Sequence, residues 1–216
     1  AISFVGSLDK ISFYTVNVIG TTNLLDAILA LPKAPFQVLL ASSANVYGNC
    51  DTTPIDEDVV PTPINHYAMS KFAMEKMAMT YSDKISIVIA RPFNYTGPGQ
   101  NINFVIPKLV DHFSNRRASI SLGNINIRRE FNHVEMVCDS YLKLLSYGVT
   151  GQIYNICSGD TYSLQFVIER LTKLTGHGID IEVDPLFVRP NEVAILQGDP
   201  QKLNNLVEQY SSKIEN

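Results

Sequence analysis

Two almost unbroken apolar runs constrain this chain most: Phe36-Gln37-Val38-Leu39-Leu40-Ala41 and Ile85-Ser86-Ile87-Val88-Ile89-Ala90. A strand with one wet face alternates apolar and polar residues, whereas a strand covered on both faces reads as a continuous apolar segment. A helical pattern precedes each run. Over 14–31, Ile19, Leu24, Leu25, Ile28 and Leu29 form an apolar side, and Pro32 and Pro35 end it. The second helix reads over 66–84. Helix, strand, helix, strand predicts an α/β fold built on a doubly wound parallel sheet.

Further along, the pattern predicts a long loop over 42–65 and a turn-rich loop over 91–100. It then predicts helices over 105–116, 134–147 and 164–175, the last capped by Ser163, and a final helix opened by Asp199-Pro200. The stretch 120–131 reads as extended, and 152–157 and 179–183 as strands. Hydrophobic residues make up 45% of the 216 positions and charged ones 18%, which places the chain among globular proteins. The net charge of −4 gives no general attraction to nucleic acid or to an anionic membrane. Three widely spaced cysteines form neither a disulfide framework nor a metal motif, so no metal is expected and a reducing cytoplasm fits best.

The chemistry concentrates at Tyr67-Ala68-Met69-Ser70-Lys71. Tyr67 and Lys71 are one helical turn apart and share a face. An ammonium beside a phenol favours the phenolate, so Lys71 is expected to lower the Tyr67 pKa and let it exchange a proton near neutral pH. Taken alone, the pair is weak, and an ordinary amphipathic helix accounts for it better. A dinucleotide fold also needs a Gly-rich turn whose backbone N–H groups approach the pyrophosphate. No such turn occurs here: Gly97, Gly99, Gly176 and Gly178 lie in other contexts.

Several stretches together resemble the extended short-chain dehydrogenase/reductases that act on nucleotide sugars. These are Ala41-Ser42-Ser43-Ala44-Asn45-Val46-Tyr47-Gly48, Tyr67 with Lys71, and Arg91-Pro92-Phe93-Asn94 with Gly97-Pro98-Gly99. Arg128-Arg129-Glu130-Phe131 and Arg189-Pro190-Asn191-Glu192-Val193 with Gly198-Asp199 follow in family order. The resemblance implies a Rossmann-like sheet with a small C-terminal substrate-binding α/β lobe. Residues 1–100 would be the remaining part of the dinucleotide-binding domain. Residues 101–216 would be mainly the nucleotide-sugar lobe, with some segments returning to the sheet. It also implies roughly 70 earlier residues carrying the first βαβ half and its Gly-rich turn, which this chain lacks.

Carried over position by position, the resemblance makes Ser43, Tyr67 and Lys71 the catalytic set. Tyr67 exchanges the proton, Ser43 binds the reacting oxygen, and Lys71 holds the nicotinamide ribose of NADP or NAD. Ala1, Ser3, Phe93 and Tyr95 match further cofactor positions. Asn94, Asn103, Lys108, Arg129 and Arg189 match positions that contact the sugar nucleotide, the two arginines at its diphosphate. His66 and His133 are read as structural.

The tail around Glu192 is most similar to the GDP-mannose branch, where Glu192 would accept hydrogen bonds from guanine. The 4,6-dehydratases of that branch resemble this chain but place a carboxylic acid at the position of Asn45. An amide cannot serve as general acid or base. The implied activity is therefore reduction of GDP-4-keto-6-deoxy-D-mannose to GDP-D-rhamnose, with a nucleotide-sugar 4-epimerase or a GDP-mannose 4,6-dehydratase as alternatives. A cofactor-binding regulator without catalysis is the alternative of another class. The implied assembly is a homodimer built from the 14–31 and 66–84 helices.

Overall fold

The computed structural model describes residues 9–187 and 193–214. The chain opens with α1 (Lys10–Tyr14), a π-helical turn (Thr15–Ile19) and α2 (Gly20–Leu29), which run on from one another as the predicted first helix. Then come β1 (Val38–Ala41), a 3-10 turn (Ala44–Tyr47), α3 (His66–Met79), β2 (Ile87–Pro92), β3 (Tyr95–Thr96) and α4 (Val105–Ser114). Next are β4 (Ser119–Leu122), β5 (Arg128–Arg129), β6 (Asn132–His133), α5 (Val134–Tyr147) and β7 (Ile153–Ile156). The chain closes with β8 (Tyr162–Ser163), α6 (Leu164–Thr175), β9 (Asp180–Val183), a 3-10 turn (Pro185–Phe187), β10 (Ile195–Leu196) and α7 (Gln201–Ile214).

The main sheet has the order β1-β2-β7, all parallel, with Leu40 opposite Ile89 and Ala90 opposite Tyr154. Every residue of β2 is buried, the apolar Ile87 to Ala90 as a strand covered on both faces requires, and Arg91 with them. Its side chains alternate between two cores. Ile87 and Ile89 pack with Leu25, Leu40, Met74 and Ala78, so α2 and α3 cover that face. Val88 and Ala90 pack with Val137, Leu144, Leu203 and Leu206, so α5 and α7 cover the other. The result is a three-layer α/β/α sandwich. A separate core of Leu109, Phe113, Ile120, Leu122, Leu164 and Ile168 joins α4 and α6 to the parallel pair β4-β9.

The first helix runs from Lys10 to Leu29 where the pattern predicts 14–31, and other expectations shift at their ends as well. The 66–84 helix stops at Met79, because Thr80 to Lys84 fold back in turns whose N–H groups bond to Met77, Ala78, Met79 and Tyr81 carbonyls. The extended 120–131 stretch is interrupted between β4 and β5 by a turn in which Asn124 Oδ1 accepts from Asn126 N–H. Asn65 fixes the start of α3: its Oδ1 accepts from Ala68 N–H at 2.9 Å.

Candidate active site

The carboxyl end of β1 delivers Ser42 and Ser43, and the capped start of α3 delivers Tyr67 and Lys71. Ligands of open α/β sheets bind at such strand ends. Ser43 caps the 3-10 turn, and its Oγ accepts from Asn45 N–H at 3.2 Å and from Asn45 Nδ2 at 3.1 Å. A hydroxyl that accepts twice keeps its own hydrogen to donate. Ser43 is hydrogen-bonded to the Tyr67 phenol in the sense that favours phenolate. Asn45 therefore has a task that its reading as a mere missing acid overlooked: it orients Ser43.

Tyr67 is 7% exposed, and Phe13 of α1 meets its ring edge-on at 5.8 Å. The Lys71 ammonium lies 6.0 Å from the Tyr67 ring centroid and donates to the Ala41 carbonyl at 2.8 Å. The expected lowering of the Tyr67 pKa by Lys71 is not found. Burial raises it, the Ser43 hydrogen bond offsets part of that, and nearby Tyr95 adds to the rise. The reason is physical: Lys71 is itself buried and turned toward a backbone carbonyl. Burial lowers the Lys71 pKa to about 8, with Glu75 opposing the fall.

Asn17, in the π-helical turn, donates to Ser70 Oγ at 3.0 Å, and Ser70 donates to the Tyr67 carbonyl at 2.8 Å. This buried chain ties the first helix to the Tyr67 turn. Beneath it, Glu75 receives two hydrogen bonds from Arg91, 2.9 Å from Nε and 2.7 Å from Nη2. Among the described residues, Ser42 Oγ and Arg91 Nη1 are buried polar side-chain atoms without a hydrogen bond.

The remaining candidates divide. The Phe93 side chain, expected to approach the cofactor, is 2% exposed and packs with Tyr47, Ile55, Cys157 and Leu196. Close packing explains this: a Cβ on Gly198 would lie 2.7 Å from the Phe93 ring and 2.6 Å from Cys157 Sγ. Tyr95 is 40% exposed and stands near Tyr67 and Tyr141. Asn94 is exposed at the sheet end, with its carbonyl accepting from Asn132 N–H. Asn103 is exposed before α4, with its N–H donating to Asn101 Oδ1. Lys108 donates to the Ser121 carbonyl at 2.6 Å and lies over the Phe187 ring at 4.6 Å. Arg129 Nη1 donates to the Arg128 carbonyl at 2.8 Å, while Arg128 is strapped to Thr161 through two hydrogen bonds. Ala1, Ser3, Arg189 and Glu192 lie outside the described residues. His66 accepts or donates at Nδ1 opposite Tyr14, and His133 caps α5.

A Rossmann-type sheet with a Ser–Tyr–Lys set at its strand ends defines an extended short-chain dehydrogenase/reductase. The chain belongs to the GDP-mannose 4,6 dehydratase family of that class, whose model matches residues 1–213. It is 40% identical over 96% of its length to a GDP-6-deoxy-D-talose 4-dehydrogenase of Aggregatibacter actinomycetemcomitans, of which it covers 70%. Identity is 33%, over 88% of this chain and 65% of the relative, to a GDP-6-deoxy-D-mannose reductase of Pseudomonas aeruginosa. The solved structure of RMD from Pseudomonas aeruginosa complexed with NADPH superposes with a TM-score of 0.85 at 30% identity. That match covers 95% of this chain and 73% of the other. The chain thus spans about two thirds to three quarters of the length of these relatives.

Proposed function

We propose that this protein is an NAD(P)-dependent reductase of a GDP-4-keto-6-deoxy sugar, forming GDP-D-rhamnose from GDP-4-keto-6-deoxy-D-mannose. The observation that carries this reading is the Ser43–Tyr67–Lys71 set with an amide, Asn45, bonded to Ser43 where a dehydratase needs an acid. NADPH or NADH, bound against this end of the sheet, supplies the hydride for C4. Tyr67 gives its proton to the C4 oxygen as negative charge develops there. Ser43, held by Asn45, donates a hydrogen bond to the same oxygen, which is the part of an oxyanion donor. Lys71 holds the cofactor ribose and keeps positive charge beneath the phenol as it ionises. Arg129, together with Arg189, grips the diphosphate with forked guanidinium groups, and Glu192 reads guanine.

Residues 1–100 are read as the dinucleotide-binding part and 101–216 mainly as the sugar-nucleotide lobe. The return of β7 and α7 to the main sheet supports the mixed allocation of the second half. A second product is favoured by a specific observation: identity is higher to the 6-deoxy-D-talose enzyme than to the 6-deoxy-D-mannose one. The two sugars are C4 epimers, so the same residues serve either, with hydride delivered to opposite faces of the ketone.

The test uses the full-length protein with GDP-4-keto-6-deoxy-D-mannose and reduced cofactor. One cofactor is consumed per sugar, and proton NMR of the product assigns C4. Tyr67→Phe removes only the acid and should lower kcat by about 10²–10⁴ while sugar binding survives. Turnover with no net consumption of cofactor would point to an epimerase, release of water from GDP-mannose to a dehydratase, and cofactor binding without turnover to a regulator. Any of the three would overturn the reductase reading.

A further inference from the structure

We infer that Glu75 and Arg91 are positioning residues for the Tyr67–Lys71 pair: the Glu75 carboxylate, pinned by Arg91, holds Lys71 in its ammonium form. The inference concerns the electrostatics beneath the site and rests on the proposed proton role of Lys71 only for its kinetic consequence.

Lys71 and Glu75 are one turn apart on α3 and are 2% and 1% exposed. The hydrogen bond described for the Lys71 ammonium goes to a backbone carbonyl, a neutral acceptor. A buried ammonium with only neutral acceptors tends to lose its proton. Glu75 is the anion that opposes this. Left to itself on a helix, a buried carboxylate would take up a proton or change rotamer. Arg91 prevents both with a bidentate clamp from β2, whose backbone is fixed between β1 and β7.

Arg91 is fixed in turn. Its guanidinium covers the Tyr47 ring at 4.8 Å, and the Tyr47 hydroxyl donates to Asn155 Oδ1 on β7 at 2.7 Å. The titratable groups facing this cluster from other elements are Tyr47, itself under the influence of Glu57, and, through Tyr67, the phenols of Tyr95 and Tyr141. Burial raises the pKa of Tyr47 and of Tyr141, so these two phenols are neutral near pH 7. Lys71, Glu75 and Arg91 then leave one net positive charge under the phenol. That charge is needed when Tyr67 becomes phenolate and is lost if Lys71 deprotonates.

The experiment follows the Lys71 ammonium by NMR in lysine-labelled full-length protein, with Lys71→Met assigning the signal. In Glu75→Gln the Lys71 midpoint should fall by about one pH unit or more, tenfold in dissociation constant, because the anion is gone and the Arg91 charge stays. That variant strands a buried guanidinium and risks its fold. Glu75→Gln/Arg91→Met removes both charges while keeping similar shapes. Its Lys71 midpoint should lie between those of Glu75→Gln and wild type. The alkaline limb of kcat/KM for ketone reduction should move with the midpoint in both variants, whereas a purely structural role lowers the rate at every pH without moving the limb. A folded double variant whose Lys71 titrates as in wild type, or a limb that stays in place, overturns the inference. Failure of the reductase reading shows separately, as a wild type that consumes no cofactor, and the NMR midpoints then decide the inference alone.

Discussion

Lys71 shows how a single side chain carries opposite demands. The proposed reaction asks for a cation under Tyr67, yet burial lowers the Lys71 pKa from the ordinary lysine value of 10.5 to about 8. The consequence for stability has a definite sign. Below about pH 8 the lysine is protonated in both folded and unfolded chains, and the folded state bears the whole cost of burying the charge. Between about 8 and 10.5 the unfolded chain binds more protons, so this residue makes stability rise with pH. Shifting by this much corresponds to about 3 kcal/mol. Lys71→Met should therefore raise stability at pH 7 by up to that amount and flatten the slope between pH 8 and 10.5. Urea unfolding at a series of pH values checks both. Sequence reasoning found the residue and its helical phase with Tyr67, because spacing encodes phase. It missed the direction of the Tyr67 shift, because burial is a property of packing.

At the scale of elements, the turn after β1 depends on one backbone position. Gly48 closes the 3-10 turn at φ 62°, and a Cβ there would lie 1.9 Å from the Thr62 carbonyl oxygen. Thr62 also donates from Oγ1 to the Tyr47 carbonyl at 2.8 Å, so the 42–65 loop is sewn to the turn at this point. Gly48→Ala combines an unfavourable φ with a backbone clash and should destabilise by about 2–4 kcal/mol, read as a lower thermal midpoint. Because the turn carries Ser43 and Asn45, activity should fall in the surviving folded fraction as well. The long elements were legible: α5 and α6 match their predicted bounds, since Val134–Tyr147 and Leu164–Thr175 have regular apolar periodicity and Ser163 caps as expected. The two-residue strands β3, β5, β6, β8 and β10 were not. They follow from neighbours far off in the chain, as when Arg129 pairs with Tyr162 on one side and Leu196 on the other. The buried Glu130 was legible only as part of a motif. Its carboxylate gathers N–H groups from Ser158 and Gly198 and the Asn132 amide, partners that no local pattern reveals.

For the molecule as a whole, the outer faces of the first helices remain apolar. Ile11, Ile19 and Leu24 are each more than half exposed, and Met69 of α3 is 43% exposed. We propose that these faces meet their counterparts in a second copy, as helices of a four-helix interface. Sedimentation of the full-length protein at micromolar concentration should give a dimer, and Ile19→Lys/Leu24→Lys should give a folded monomer. A wild-type monomer would reject the proposal. The sheet has a different kind of consequence, one of timing. Strand β2 is hydrogen-bonded on one side to β1 and on the other to β7, so Ile89 pairs with Ile153, a residue made much later on the ribosome. Throughout that interval the Val88 and Ala90 face lacks the α5 and α7 cover that completes its core. Contacts of such long sequence separation close slowly. The half of the chain that carries Ser43, Tyr67 and Lys71 must therefore wait, sticky and incomplete, for the half that seals it, and that interval is when the nascent protein most needs a chaperone.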